Sequence, residues 1–70
     1  MKEEIRQAYI DILIQDGFTL RSNNPLETFY HKENKIARVF NGELTCNYIK
    51  GSFRMNHYDL GVFLCEIKKI

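Results

Sequence analysis

Residues 36–49, which read IARVFNGELTCNYI, decide the fold of this chain. Asn41 and Gly42 are the strongest short signal for a β-hairpin, because both residue types accept the positive φ angles of a two-residue type I′ turn. That turn sets the register of the flanking strands, with Phe40 facing Glu43, Val39 facing Leu44 and Ala37 facing Cys46. Alternate residues of each strand therefore project from opposite faces of a sheet.

Weaker turn signals on either side extend this hairpin into a meander. Glu33 and Asn34 predict a turn before it, and Lys50 with Gly51 predict a turn after it, which makes Tyr48 oppose Phe53. Pro25 ends a loop that interrupts the pairing further upstream. The predicted strands are residues 17–21, 26–31, 36–40, 43–49 and 52–55.

Apolar residues at helical spacing predict a helix at each end of the meander. The first runs from Lys2 to Asp16, with Gly17 as its stop signal. The second runs from about His57 to Lys69, with Asn56 as N-cap and Asp59 in the capping-box position. Its apolar face consists of Leu60, Phe63, Leu64, Ile67 and Ile70.

The three turns together predict one apolar sheet face for the helices to cover. That face consists of Leu26, Thr28, Tyr30, Ala37, Val39, Leu44, Cys46, Tyr48, Phe53 and Met55, and is joined by Phe18 and Leu20. We therefore predict a single α+β domain over residues 1–70: two layers in the order helix, antiparallel five-strand meander, helix, with both helices on one face of the sheet. Ile10 and Ile14 are expected to pack against a flank of the second helix that carries Tyr58, Val62 and Cys65.

The opposite sheet face has no cover from this chain in the predicted fold. By register, Phe29 opposes Arg38 and His31 opposes Ile36 there, and Phe40 lies two residues from Arg38. Aromatic and arginine side chains are enriched at the centres of protein interfaces. The predicted interaction surface consists of Phe29, His31, Ile36, Arg38, Phe40, Asn47, Ile49 and Arg54.

Composition argues against several classes of protein. The net charge of +1 gives no strong field toward nucleic acid or membranes, and 44% hydrophobic residues argue against disorder. We expect no secretory leader and no membrane span, because charged residues cut the apolar runs. Cys46 and Cys65 lack the spacing of a disulfide framework, which favours the cytoplasm.

No motif predicts catalysis, a cofactor or a metal site. Cys46 is placed in the core, where an apolar setting leaves a thiol unreactive. His31 and His57 have no partner at zinc-ligand spacing. We therefore expect a non-enzymatic protein.

The function that we expect rests on the small size of the chain and on its predicted interaction surface. We expect a small protein-interaction module, an inhibitor or regulator of a larger protein, a format common among accessory proteins of phages and other mobile elements. One alternative is a regulator that binds single-stranded nucleic acid on the aromatic and arginine face. Another is a homodimeric subunit. Gly61 with Cys65 also forms a small-residue flank for the first helix or for a partner helix.

Overall fold

A computed structural model describes residues 2–24 and 26–69, so Pro25 and Ile70 lie outside the described residues. The elements are α1 (Lys2–Gln15), β1 (Thr19–Asn23), β2 (Glu27–Lys32), β3 (Lys35–Phe40), β4 (Glu43–Cys46), β5 (Ile49–Arg54) and α2 (His57–Lys68). The strands pair in chain order and every pairing is antiparallel. The predicted helix, five-strand meander, helix order is confirmed.

One hydrophobic core joins both helices to one face of the sheet, as predicted. Tyr9 of α1 and Phe53 of β5 both pack against Phe63 of α2, with ring centroids 5.3 Å and 5.2 Å apart respectively. The buried hydrophobic residues are Ile5, Tyr9, Leu13, Phe18, Tyr30, Ala37, Val39, Leu44, Cys46, Phe53 and Phe63. The domain therefore has two layers.

Gly17 ends α1 with a Schellman motif. Its N–H donates to the Ile14 carbonyl at 3.0 Å, and the N–H of Phe18 donates to the Leu13 carbonyl at 2.9 Å. The φ angle of Gly17 is 103°, which an L side chain rarely adopts. Leu13 and Phe18 are both buried, so this motif also turns the chain from the helix into the core.

The first two predicted hairpin turns are present. Asn41 and Gly42 have φ angles of 54° and 74°, and Phe40 pairs with Glu43 across them. Glu33 has a φ angle of 56° in the preceding turn. The registers across both hairpins are those expected from the sequence.

The third predicted turn is wrong. Asn47 and Tyr48 make the turn between β4 and β5, whereas Lys50 and Gly51 lie within β5. Two hydrogen bonds of the Asn47 side chain explain why the turn lies here. Its Oδ1 accepts a hydrogen bond from the Ile36 N–H at 2.9 Å, and its Nδ2 donates to the Asn34 carbonyl at 3.0 Å.

Because the turn lies at Asn47 and Tyr48, the residues of β4 that pair with β5 differ from the prediction. Phe53 nevertheless projects from the predicted face of the sheet. Phe53 pairs with Leu44 instead of Tyr48, a shift of an even number of residues that leaves its side chain in the core. An irregularity between Thr45 and Cys46 pairs Cys46 with Ile49. Ile49 therefore packs against the core instead of joining the opposite face, which corrects the prediction for that residue.

Three predicted core residues lie at the margin of the helical layer. Leu20 is 51% exposed and Leu26 is 76% exposed, and all five residues of β1 are exposed. Tyr48 is also exposed in its turn, with its ring stacked on Phe18 at 6.3 Å between centroids. Two helices are too few to cover a twisted five-stranded sheet, so the β1 edge is left open.

The two helices meet along the opposite flank of α1 from the one predicted. Ile12 of α1 lines a shared surface cavity with Leu64 and Ile67 of α2. Ile14 is 49% exposed on the other flank, so its predicted packing against α2 is wrong. Both flanks of α1 are apolar, and for that reason hydrophobicity alone did not distinguish them.

The N-terminus of α2 is capped as expected, with one difference. The Asn56 side chain accepts from the Asp59 N–H at 2.7 Å. The Asp59 carboxylate, however, accepts from the Arg54 N–H at 2.7 Å instead of closing a capping box onto Asn56. This bond, with one from the Tyr9 hydroxyl to the Arg54 carbonyl at 2.8 Å, ties the end of β5 to both helices.

Candidate interaction surface

The sheet face opposite the helices carries an aromatic and arginine cluster. The Arg38 guanidinium carbon lies 4.5 Å from the Phe40 ring centroid and 6.0 Å from the Phe29 ring centroid. Phe29 lies directly opposite Arg38 on the neighbouring strand, and Phe40 follows Arg38 on the same side of β3. We call Phe29, Arg38 and Phe40 the arginine cluster, and the sheet face that carries them the free face.

Arg38 is held in place by its surroundings. Its guanidinium forms an ion pair with Glu27, and its Nε is buried without a hydrogen-bond partner among the described residues. The side chain therefore lies beside both rings while 42% of its surface remains exposed. A guanidinium ordered in this way loses less conformational entropy when a partner binds.

The charges of the free face are largely balanced. Glu27 pairs with Arg38, and the Glu43 carboxylate lies 3.9 Å from the Arg54 guanidinium. Arg54 is mostly exposed, so the second pair is weak. Glu27 and Glu43 both lie opposite Phe40, on the two strands that flank β3, and therefore share the free face.

A depression of about 250 Å³ lies beside the cluster. Its lining comprises Phe29, Ile36, Arg38, Thr45, Cys46 and Asn47. The Phe29 ring and the Ile36 side chain make it mainly apolar, and Thr45 and Asn47 add polar groups. The depression is wide and open, and this form suits a side chain of a partner better than an enclosed small molecule.

The structure brings together most, but not all, of the predicted surface. His31 opposes Ile36 on neighbouring strands, and both are half-buried beside Phe29. Asn47 lies at the border and holds its own turn, a structural role that the sequence did not reveal. Ile49 faces the core.

The cysteines differ in their surroundings. Cys46 is buried and Cys65 is exposed, and neither forms a disulfide. Burial raises the pKa of the Cys46 thiol from its usual 9.0 to about 11, and a hydrogen bond from Tyr48 offsets part of this effect. The Cys46 thiol is therefore protonated, and a poor nucleophile, near neutral pH.

Two further observations concern metal sites and membrane-spanning helices. Within residues 2–24 and 26–69, no group of three or more His, Cys, Asp or Glu side chains is arranged to hold a metal ion. In the same part of the chain, neither helix has the length and apolar character needed to cross a membrane.

Comparisons with known protein families, with curated proteins and with solved structures give no match to this chain. The free face must therefore be interpreted from its own geometry.

Proposed function

We propose that this protein is a non-enzymatic binding module that docks its free face onto a larger protein and inhibits or regulates that partner. The observation that carries the proposal is the Arg38 side chain, ordered between Phe29 and Phe40 on a sheet face that faces away from both helices. Aromatic rings around an ordered arginine form the kind of centre that dominates the binding energy of protein interfaces.

The partner's chemistry follows from the same groups. The depression accepts an aliphatic or aromatic side chain between Phe29 and Ile36. The N–H groups of the Arg38 guanidinium can donate hydrogen bonds to a carbonyl or carboxylate oxygen of the partner. We place this contact in the cytoplasm, where two unpaired cysteines remain reduced.

The balanced charge favours a protein over single-stranded nucleic acid. Rings on a sheet can stack bases, but affinity for nucleic acid depends on cations that are available to phosphate. Arg38 is already paired with Glu27, and Glu43 lies beside Arg54. Both carboxylates would repel a phosphate backbone that crosses this face.

Affinity capture with paired variants tests the proposal. The full chain is immobilised, incubated with cytoplasmic extract of its source, and the retained proteins are identified and titrated back individually. Phe29→Glu and Phe40→Glu should each weaken the binding of the retained partner by about tenfold or more, because each places a charge in the apolar centre. Tyr58→Glu, which changes an 81% exposed aromatic residue on α2, is the matched control and should bind normally.

The result that overturns the proposal is a partner that binds Phe29→Glu as tightly as the natural chain. Sedimentation equilibrium on the same proteins separates the homodimer alternative, in which the chain itself is the partner and Phe29→Glu makes it monomeric. Salt-dependent binding of an oligonucleotide that is lost in Phe29→Glu would instead assign the face to nucleic acid.

A further inference from the structure

A cavity of about 180 Å³ lies between α1 and the turn that joins β3 to β4. Arg6 of α1 lines it on one side, and Asn41 and Gly42 of the turn between β3 and β4 line it on another. The apolar part of its wall comes from Leu26, Val39 and Met55. Thr28 and Phe40 also line it, and of these lining residues Phe40 belongs to the arginine cluster.

Arg6 brings an uncompensated positive charge to this cavity. The ion pairs among the described residues involve Lys32, Arg38, Arg54 and Lys69, and Arg6 is not in any of them. Its charge reaches the buried phenol of Tyr30, whose pKa is raised by burial and lowered in part by Arg6. A cation beside buried groups, without a carboxylate of its own, favours an anion supplied from outside.

The turn adds further hydrogen-bond donors. The backbone N–H groups of Asn41 and Gly42 donate no hydrogen bond to any described residue, and neither does the side-chain amide of Asn41. Both residues have positive φ angles that the hairpin requires, so the turn has a defined conformation. Fixed N–H donors together with a guanidinium form an environment suited to a carboxylate, which only accepts hydrogen bonds.

Part of the lining is apolar and open to solvent. Leu26 is 76% exposed, Met55 is half-buried and Val39 is buried beneath them. An exposed leucine beside a cavity is apolar surface that a ligand can remove from water. The site therefore combines a cation, N–H donors and aliphatic side chains in one lining.

We propose that this cavity binds a carboxylate carried on a short branched aliphatic group. The ligand is either a free branched-chain acid or the C-terminal carboxylate of a peptide that ends in an aliphatic residue, since both present the same chemistry. Its carboxylate pairs with Arg6 and the Asn41 and Gly42 donors, and its aliphatic group covers Leu26 and Met55. The site shares Phe40 with the free face, but the proposed ligand contacts do not require the proposed function of the free face.

Amide-resolved NMR titration of the full chain tests the site. The probes are 4-methylpentanoate, its uncharged amide, and the peptide acetyl-Ala-Ala-Leu with a free or an amidated C-terminus. We expect saturable shifts at Arg6, Asn41 and Gly42 with the free acid, the free-carboxylate peptide or both, and binding weaker by about tenfold or more for the matching amides.

Variants separate this site from general surface binding. Arg6→Gln should weaken carboxylate binding by about tenfold, whereas Arg21→Gln, which changes an exposed arginine of β1, should not. Thermal unfolding confirms that Arg6→Gln is folded, and Arg6→Lys provides a second, charged replacement that should retain part of the binding. Absence of saturable shifts with both carboxylates, equal binding of the amides, or unchanged binding in folded Arg6→Gln overturns the proposal. A peptide that binds while the free acid does not assigns the site to a chain end.

Discussion

Adjacent residues of β3 illustrate how strongly the two sheet faces differ. Val39 is 5% exposed in the core, whereas its neighbour Phe40 is 40% exposed on the free face beside Arg38. The larger and more hydrophobic residue is thus the more exposed one. Hydrophobicity alone would place both inside, and the strict alternation of a strand explains the difference.

Glutamate at each of these positions should give opposite results for folding. Val39→Glu buries a charge without a partner and should destabilise the chain by about 4 kcal/mol or more, enough to unfold a domain of this size. Phe40→Glu loses mainly its contact with Arg38 and should cost about 1 kcal/mol or less. Urea denaturation followed by circular dichroism measures both.

The same pair checks the orientation of the sheet. A folded Val39→Glu chain together with an unfolded Phe40→Glu chain would mean that the two faces are inverted. Equal destabilisation would mean that Phe40 is part of the core.

At the level of elements, the turn between β4 and β5 depends on a side chain and not on a backbone preference. Lys50 and Gly51 fit a two-residue turn, and Gly51 does have a positive φ of 88°, but within β5. The Asn47 side chain, which follows β4, instead forms hydrogen bonds with the Ile36 N–H and the Asn34 carbonyl. Bonds between segments far apart in the chain are not visible in local turn preferences.

Asn47→Ala should therefore destabilise the fold by about 1–2 kcal/mol, because it removes both hydrogen bonds. Asn34→Ala is the matched control, since only the backbone carbonyl of Asn34 takes part and that carbonyl remains. Urea midpoints of the two variants provide the comparison. An equal loss of stability in the two variants would show that the Asn47 side-chain hydrogen bonds do not stabilise this turn.

The small-residue flank of α2 is open in this structure. A Cβ added at Gly61 meets nothing within 4 Å, and both Gly61 and Cys65 are exposed, so α1 does not occupy the flank.

Gly61→Ala should therefore stabilise the chain by about 0.5–1 kcal/mol through helix propensity alone. Gly17→Ala should have the opposite sign, because its φ of 103° strains any L side chain. Thermal melting of the two variants measures this contrast. Destabilisation by Gly61→Ala would indicate that another helix, from a second copy, packs on the flank.

At the scale of the whole molecule, one core carries several neutral groups that lose protons at high pH. Burial raises the pKa of Cys46 from 9.0 to about 11, and burial with the nearby Asp59 charge raises that of Tyr9 from 10.0 to about 12. In both cases the folded state favours the protonated form, so the unfolded chain loses these protons first.

Stability should accordingly fall as the pH rises from 9.0 toward about 11, with a further loss toward about 12. Urea midpoints measured across this range test the sign, and Cys46→Ala should reduce the slope in its lower part. Cys65→Ala, which changes an exposed thiol, is the control and should leave the slope unchanged. A midpoint that rises over this range would contradict the assigned environments.

The order of elements, the two-layer architecture and most of the free face can be predicted from the amino-acid sequence, because helical spacing and strand alternation are local patterns. The Glu33 and Asn34 turn sets the register that places Phe29 opposite Arg38, and the Asn41 and Gly42 turn sets the pairing of Phe40 with Glu43. Four features emerge only when the chain is folded: the turn at Asn47, the inward position of Ile49, the flank of α1 that meets α2, and the cavity beside Arg6. Each of these depends on contacts between distant segments and on how far two helices extend over a twisted sheet, which no local pattern encodes.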